Sequence, residues 1–513
     1  MTQAPTHPVA ATPSDLDKVV TTARTTPKVL VLALACAAQF MVVLDIAIVN
    51  VALPSIQRDL DVSQSTLQWV VIAYGLLLGG FLLLGGRMAD LLGRRRMFLT
   101  GVTIFSAASL VAGIAQSSAV LIAARGLQGF GAALIAPAAL SILAVNFPEG
   151  PERNRALGIF GAVAGTSASV GVIASGLLTD GPGWRWVFFI NLPVGIVLIS
   201  LATAFLVADR GQRGTQNFDV AGATTVTGGL LLLVYGLNRG AEDGWTSTTA
   251  LLLFVAAAVL LAAFVRVEAR ARTPLVPAAA VKNRTLVAAN LSAFFAFGAM
   301  FSFIFLASLL MQQVLGYSPT TTGLAWLSTT GTAFAGSAVA GARLVALVGV
   351  RRLLVTGLSL LALGMLWLTR VPADANYVTD LLPAFLLAGV AIGLCAPSAQ
   401  IGALSGVSES TSGLASGLVE TMREIGGAAG VAAVSTVLVS RAGLDGFRVA
   451  FVVIAIAAAV GAVTAAIAFQ RQVRHVDESG PLTGSLPSEL GTRSEREASM
   501  ADTREGLVEE VAR

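Results

Sequence analysis

The stretch GRMADLLGRRRM, residues 86–97, sets four arginines and one aspartate between LQWVVIAYGLLLGGFLLLGG (67–86) and FLTGVTIFSAASLVAGIAQS (98–117), both almost wholly apolar. Apolar runs of this length recur along the whole chain. About 20 residues of helix span a hydrocarbon core, and lipid offers open backbone groups no partner, so such runs must be helical. The composition agrees: of 513 residues, 55% are hydrophobic and 12% charged, with mean hydropathy +0.79. A soluble domain carries about 25% charged residues. Alternating ten-residue strands are absent, which argues against an outer-membrane barrel.

The pattern predicts an all-α polytopic membrane protein with fourteen spans: 29–53, 67–86, 98–117, 119–143, 157–178, 186–208, 221–238, 249–265, 286–311, 322–341, 353–369, 381–404, 414–439 and 448–469. The eighth is short and has the least distinctive flanks. An amino-terminal six-span half (28–208) and a carboxy-terminal one (286–469) flank two extra spans with their linkers (209–285). The tails, 1–27 and 470–513, are polar and expected to be disordered or loosely helical. No cleavable signal peptide is apparent, since the first apolar run starts late, is too long and holds Asp45.

Orientation follows from the basic residues. With the amino terminus cytoplasmic, inner segments hold 25 Lys and Arg against six in the outer loops, or 19 against six without the final tail. That asymmetry places both termini, and the 86–97 hairpin, inside. The net charge of +4 reports this bias and gives no support for a nucleic-acid partner.

Several chemistries fall away. The lysines Lys18, Lys28 and Lys282 sit in no GxxxxGK[ST] phosphate cradle. His7 and His475 lie in the tails, so the spans hold no histidine relay or HExxH site. Cys36 and Cys395 read as small packing residues, and no GxSxG elbow occurs. No cofactor or metal is expected, so any transport must be driven by an ion gradient or a partner.

The chain also echoes itself. ARLVALVGVRRL (342–353) repeats the hairpin, aligning Gly349 with Gly93 and Arg351 and Arg352 with Arg95 and Arg96. AIGLCAPSAQ (391–400) repeats GAALIAPAAL (131–140), setting Pro397 over Pro137. Two halves in parallel repeat, with a midplane site between them, describe one transporter architecture.

These residues resemble the major facilitator superfamily, specifically its fourteen-span drug:proton antiporter family, over roughly residues 29–470. GRMADLLGRRRM is similar to that superfamily's loop between spans 2 and 3, with Gly86, Asp90, Gly93, Arg94, Arg95 and Arg96 in place. RGLQGFGAA (125–133) resembles its span 4 motif through Arg125, Gln128, Gly129 and Gly131. LDIAIVNVALP (44–54) and WRWVFFINLPVG (184–195) resemble exporter motifs of spans 1 and 6. Span 5 departs: GAVAGTSASVGVIASG keeps Gly161, Gly165, Gly171 and Gly176 but has Ala168 and Val172 where prolines are common. Its small residues still form a face for close helix approach.

The resemblance implies that Asp90 contacts the cytoplasmic start of span 13, entered through STSGLASGL (410–418), when the transporter faces outward. A carboxylate suits a helix amino terminus, and Gly93 lets the chain turn back. The alternative is a topology anchor alone, which explains the arginines but neither Asp90 nor the glycines.

Asp45 and Arg125 are ionisable residues within spans, where function is the default reading. At 1.5 Å per residue they lie at about 12 Å and 9 Å below the outer ends of spans 1 and 4. The matched depths let them pair directly or share a water-filled cavity in which protonation of Asp45 is coupled to occupancy; the alternative is a static ion pair joining two helices. Glu420, Arg423 and Glu424 read as a solvated helix entrance rather than a second proton site. Phe294, Phe297, Phe301 and Phe305 share one face of span 9, either lining a pocket for flat or cationic compounds or packing. Asn50, Gln57 and Gln128 are further pocket or vestibule candidates.

The expected protein is a cytoplasmic-membrane exporter of hydrophobic or amphipathic small molecules, coupled to protons, surrounded by lipid and acting as a monomer without enzymatic chemistry. An importer or uniporter of a polar metabolite is disfavoured by the scarcity of polar groups in the spans, and a receptor, scaffold or membrane enzyme by the absence of any cofactor, nucleophile or metal set.

Overall fold

A computed structural model describes residues 27–207, 219–271, 274–441 and 443–469; the remainder of both tails and the side chain of Asn50 lie outside the described residues. The described chain is helical throughout, without strands. Its long helices are α1 (Lys28–Leu60), α2 (Gln64–Leu92), α3 (Arg94–Gly113), α4 (Ser118–Asn146), α5 (Pro151–Asp180), α6 (Asn191–Phe205), α7 (Val220–Asp243), α8 (Thr248–Glu268), α9 (Arg284–Leu309), α10 (Pro319–Val339), α11 (Val345–Leu368), α12 (Leu382–Leu404), α13 (Ser412–Ser440) and α14 (Leu444–Ala468). Among the described residues, 11 helices are long and apolar enough to cross a membrane. The other three are α5, α10 and α13. The Thr, Ser and Gly of α10 and the charges Arg423 and Glu424 of α13 dilute their apolar character. The short eighth span expected at 249–265 is present as the 21-residue apolar helix Thr248–Glu268, somewhat longer than its apolar run.

Local sequence explains the helix starts. Ser63, Ser117, Ser247 and Ser318 each cap a helix by accepting from the backbone N–H three residues on, and Asn283 accepts from Thr285 and Leu286. Such caps satisfy amides that the helix itself leaves open. Between α2 and α3 the chain reverses at Gly93, φ 99°, a conformation that disfavours any side chain. Gly349 has φ 80° and breaks α11 near its start, so the segment aligned with the hairpin makes the same kind of turn.

Helices α1–α6 pack chiefly on one another, as do α9–α14. The two sets meet where α2 lies on α13 and α5 on α10. The α7–α8 pair packs through α7 against α2 and α13, alongside that first seam. Helix α4 is deeply enclosed, with Gly131 against the backbone of Gly101 and Phe105 in α3. On α5, Gly171 abuts α1 at Leu44 and Ala47, Gly161 faces Pro397, and Gly165 faces Ala333 of α10. Gly176 lies in α5 beyond them. At the end opposite the hairpin, Asp59 accepts from Arg185 Nη1 (2.6 Å) and Trp184 Nε1 (3.1 Å), tying the α1–α2 turn to the α5–α6 turn.

Candidate functional site

Asp45 and Arg125 come together, both fully buried, as an ion pair through Arg125 Nη1. Helix α1 supplies the carboxylate and α4 the guanidinium. Gly129 lets α4 lie against the backbone of Tyr74 in α2, where a Cβ would meet the Tyr74 carbonyl. Each partner is satisfied by further groups. Asp45 Oδ1 accepts from Gln128 Nε2 (3.1 Å) and from Asn191 Nδ2 (2.8 Å) of α6. Arg125 donates through Nε to the Val70 carbonyl (3.0 Å) and through Nη1 to Gln128 Oε1 (3.0 Å). Ser109 Oγ of α3 accepts from Gln128 Nε2 (2.8 Å). The Tyr74 ring lies 4.2 Å under the guanidinium carbon, and its hydroxyl donates to the Val42 carbonyl (3.2 Å).

Five helices thus converge on one buried carboxylate. An ion pair taken out of water is stable only when its remaining donors and acceptors are met, and removing one member leaves a buried charge at about 3–5 kcal/mol. The arrangement can hold an ionised carboxylate or, on protonation, release the arginine and amides to new partners. Gln128, placed among vestibule candidates from sequence, belongs here. Asn191, Ser109 and Tyr74 were not anticipated. Asn191 stands in the WRWVFFINLPVG motif as a polar residue before a buried apolar run, which was the available signal.

The hairpin forms the second constellation. Asp90, almost fully buried, accepts from the N–H groups of Gly413 and Leu414, both at 2.8 Å, at the first turn of α13. Arg94 donates to Ser141 Oγ (2.8 Å) and to the Glu409 carbonyl, and Ser141 and Ser412 hydroxyls meet at 2.7 Å. Gly86 lies so close to α13 that a Cβ would collide with the Gly413 carbonyl and sit 2.9 Å from Gly417 Cα. Arg95 instead ties back to the end of α6, at the carbonyls of Ala202 (3.3 Å) and Thr203 (2.6 Å), and Arg96 is exposed. A second cross-set contact lies at the same end: Arg153 donates to the Leu404 carbonyl (3.1 Å), and Glu149 accepts from Gly406 N (3.2 Å). Nearby, Gly158 of α5 lies against the Ser337 carbonyl of α10 and against Gly341 just beyond that helix. The two helix sets are closed at the hairpin end.

The expected solvated entrance at Glu420, Arg423 and Glu424 is corrected. These residues lie eight or more positions into α13, and the Glu420 side chain is 2% exposed. Arg423 Nη1 pairs with Glu420 Oε2 (2.8 Å) and Nη2 with Glu424 Oε1 (3.0 Å), while Gln400 Nε2 donates to Glu420 Oε1 (3.4 Å). Small residues in SGLASGL bring α13 close to α2, and that close approach excludes the water a helix entrance needs. Two phenylalanines of α9, Phe297 and Phe301, turn their rings to this helix. Phe297 lies under Arg423 (5.5 Å) and edge-on to Phe301, which abuts Gly427; the backbone of Phe294 abuts Gly426, and Phe305 is half-buried against the core. Gln57 donates to the Val62 carbonyl (3.4 Å) at a helix end. One cavity of about 310 Å³ lies elsewhere, between α2 and α7, lined by Thr66, Gln68, Trp69, Ile72, Tyr235, Asn238 and Arg239. Among the described residues no cluster of His, Cys, Asp or Glu is placed to hold a metal.

The family model described as Major Facilitator Superfamily matches residues 35–430 and 289–502. The chain is 40% identical over 403 residues to the puromycin resistance protein pur8 of Streptomyces alboniger, covering 78% of this chain and 80% of that protein. It is 38% identical over 422 residues to the cephamycin export protein CmcT of Amycolatopsis lactamdurans, covering 81% and 86%. In fold it is similar to the human organic anion transporter MFSD10 (TETRAN), with TM-score 0.64 and 16% identity over 86% of this chain and all of that one.

Proposed function

Because this chain belongs to the major facilitator superfamily, among transporters rather than enzymes, we propose that it exports hydrophobic or amphipathic compounds of the antibiotic type in exchange for protons. The observation that carries the reading is the buried Asp45–Arg125 pair, held by Gln128 and Asn191. A carboxylate inside the membrane whose partner is a permanently charged guanidinium is a group that can take a proton and give it up. The relatives named for puromycin resistance and cephamycin export support the export direction and the substrate class.

The exporter sits in the cytoplasmic membrane with fourteen spans, α1–α6 and α9–α14 as two parallel six-helix halves, and both termini inside. The positive-inside asymmetry supports this orientation. With the hairpin cytoplasmic, closure at Asp90–Gly413 and Gly158–Gly341 corresponds to an outward-facing transporter. Transport then proceeds by rocking the halves about their seams, the carboxylate of Asp90 biasing one state. Phe294, Phe297, Phe301 and Phe305 of α9 border the substrate space beside α13. One proton moving through 100 mV supplies about 2.3 kcal/mol, enough for a concentration ratio of roughly 50.

The test is a panel of antibiotics and dyes in a strain lacking its own pumps. Expression should lower accumulation of several apolar or amphipathic compounds, and a protonophore should abolish the difference. Unchanged accumulation across the panel, or export insensitive to the protonophore, contradicts the proposal.

A further inference from the structure

The inserted α7–α8 pair reaches the hairpin end through the segment that leaves it. Helix α8 ends at Glu268, and PLVP (274–277) follows on the way to α9. Glu268 Oε1 accepts from the N–H of Leu275 (3.0 Å) and Oε2 from that of Val276 (3.2 Å). The same carboxylate lies beside the first turn of α7, where a Cβ on Gly222 would sit 2.9 Å from Glu268 Oε1. Amides outside a helix need such a partner when they are taken from water, and Pro274 and Pro277 stiffen the backbone on either side. The end of α8, the start of α7 and these two residues are held as one piece.

What that piece presents is Leu275, which is 3% exposed. It belongs to one buried cluster with Leu83 of α2, Leu414 and Ile425 of α13, and Ala223, Val226 and Leu230 of α7, and Val276 is partly buried against the same cluster. Leu83 and Leu414 come from opposite helix sets and flank the tightest part of their seam. Leu83 stands one helical turn before Gly86, which abuts Gly413, and the Leu414 N–H is one of the two that Asp90 accepts. At the other end of the pair, the Tyr235 ring lies 5.6 Å from that of Trp69 in α2, and Trp245 Nε1 donates to Thr436 Oγ1 of α13. The pair is fastened to both helix sets at both of its ends.

We propose that the α7–α8 pair is a third part of the inner gate, with Leu275 as a bolt across the α2–α13 seam and Glu268 as the residue that positions it. This rests on the alternating-access reading above and is independent of proton coupling. Opening the hairpin end separates α2 from α13, so Leu275 loses at least one of the walls that bury it and apolar surface returns to water. That cost falls on the inward-facing state alone, so the bolt favours closure at the hairpin end alongside Asp90. The two hydrogen bonds of Glu268 lie within the piece and survive opening. Its carboxylate therefore acts by holding Leu275 in place rather than by joining the two halves.

The experiment follows the inner separation by spin-label distances between Arg155→Cys, at the start of α5, and Arg352→Cys, near the start of α11, both exposed positions, after Cys36→Ala and Cys395→Ala. In lipid nanodiscs, Leu275→Ala should raise the ratio of long to short distances on the order of tenfold, the effect of removing most of one buried leucine side chain. Leu275→Met, which keeps volume and apolarity, should stay within about twofold of wild type. Glu268→Gln should shift the ratio in the same direction and add little when combined with Leu275→Ala, because both act through one side chain. Shifts that multiply in the double variant would remove Glu268 from the bolt. A wild-type ratio in Leu275→Ala, or in Glu268→Gln if the former does not reach the membrane, overturns the inference. Asp90→Asn separates the underlying reading: it should raise the ratio too, and a distance unchanged there as well would fault alternating access at this seam rather than the bolt alone.

Discussion

Replacing Asp90 with Asn tests the hairpin as a gate. In the closed state each carboxylate oxygen accepts one backbone N–H, from Gly413 and from Leu414. Asparagine keeps one acceptor and turns an amide N–H toward the other donor. Hydrogen bonds to charged groups contribute about 1.5–3 kcal/mol against about 0.5–1.5 for neutral ones, and a buried anion at a helix amino terminus adds up to about 2 kcal/mol. The closed state should lose roughly 2–4 kcal/mol, a population change of roughly 30- to 700-fold at 1.4 kcal/mol per decade. States of a two-state transporter differ by only a few kcal/mol, so the resting population should invert. Cysteine cross-linking between Leu91→Cys and Ser410→Cys should fall sharply, and export at equal membrane abundance should fall with it. Wild-type cross-linking and export in Asp90→Asn at equal abundance would refute the reasoning.

Gly86→Ala should act on the same equilibrium sterically, because its Cβ would press on the backbone of Gly413 and Gly417; the cytoplasmic cavity should become more accessible to a thiol reagent, and unaltered labelling would contradict this. Phe297→Ala or Phe301→Ala should change which compounds are exported while proton coupling survives, whereas a uniform loss tracking protein abundance would assign these rings to packing. Asp59 is held below the usual carboxylate range by its hydrogen bonds to Arg185 and Trp184. Since its folded-state pKa is depressed, its contribution is present above the unfolded carboxylate pKa and fades as pH falls through the folded one. The pair is exposed, so Asp59→Asn should cost about 0.2–1 kcal/mol at neutral pH, seen as a lower melting temperature that converges with wild type in acid; a constant difference across pH would deny the ionic origin.

The sequence carried the membrane helices and the Asp45–Arg125 pairing for a simple reason. Lipid makes helix length and intramembrane charge costly, so both stand out in a single chain, and rise per residue then converts position into depth. The amides and hydroxyls around the pair carry no such signature. Asn191, Ser109 and Tyr74 resemble many other polar residues in helices, and only the convergence of α2, α3 and α6 identifies them. The misreading of Glu420, Arg423 and Glu424 has the opposite origin: three charges in one turn look solvated, but the small residues before them bring α2 against α13 and leave the cluster dry. The hairpin's turn at Gly93 was legible from its glycine, whereas the inward reach of Asp90 came from resemblance, since nothing local to 86–97 specifies a contact more than 300 residues away.

The central claim is that Asp45, paired with Arg125, couples proton entry to export. Its most direct test is transport in proteoliposomes by wild type and Asp45→Asn at equal, verified incorporation, with a substrate identified in the panel. Asn is nearly isosteric and cannot exchange a proton, so substrate-for-substrate exchange should persist while accumulation driven by an imposed pH gradient vanishes. Gradient-driven accumulation persisting in Asp45→Asn would contradict the account.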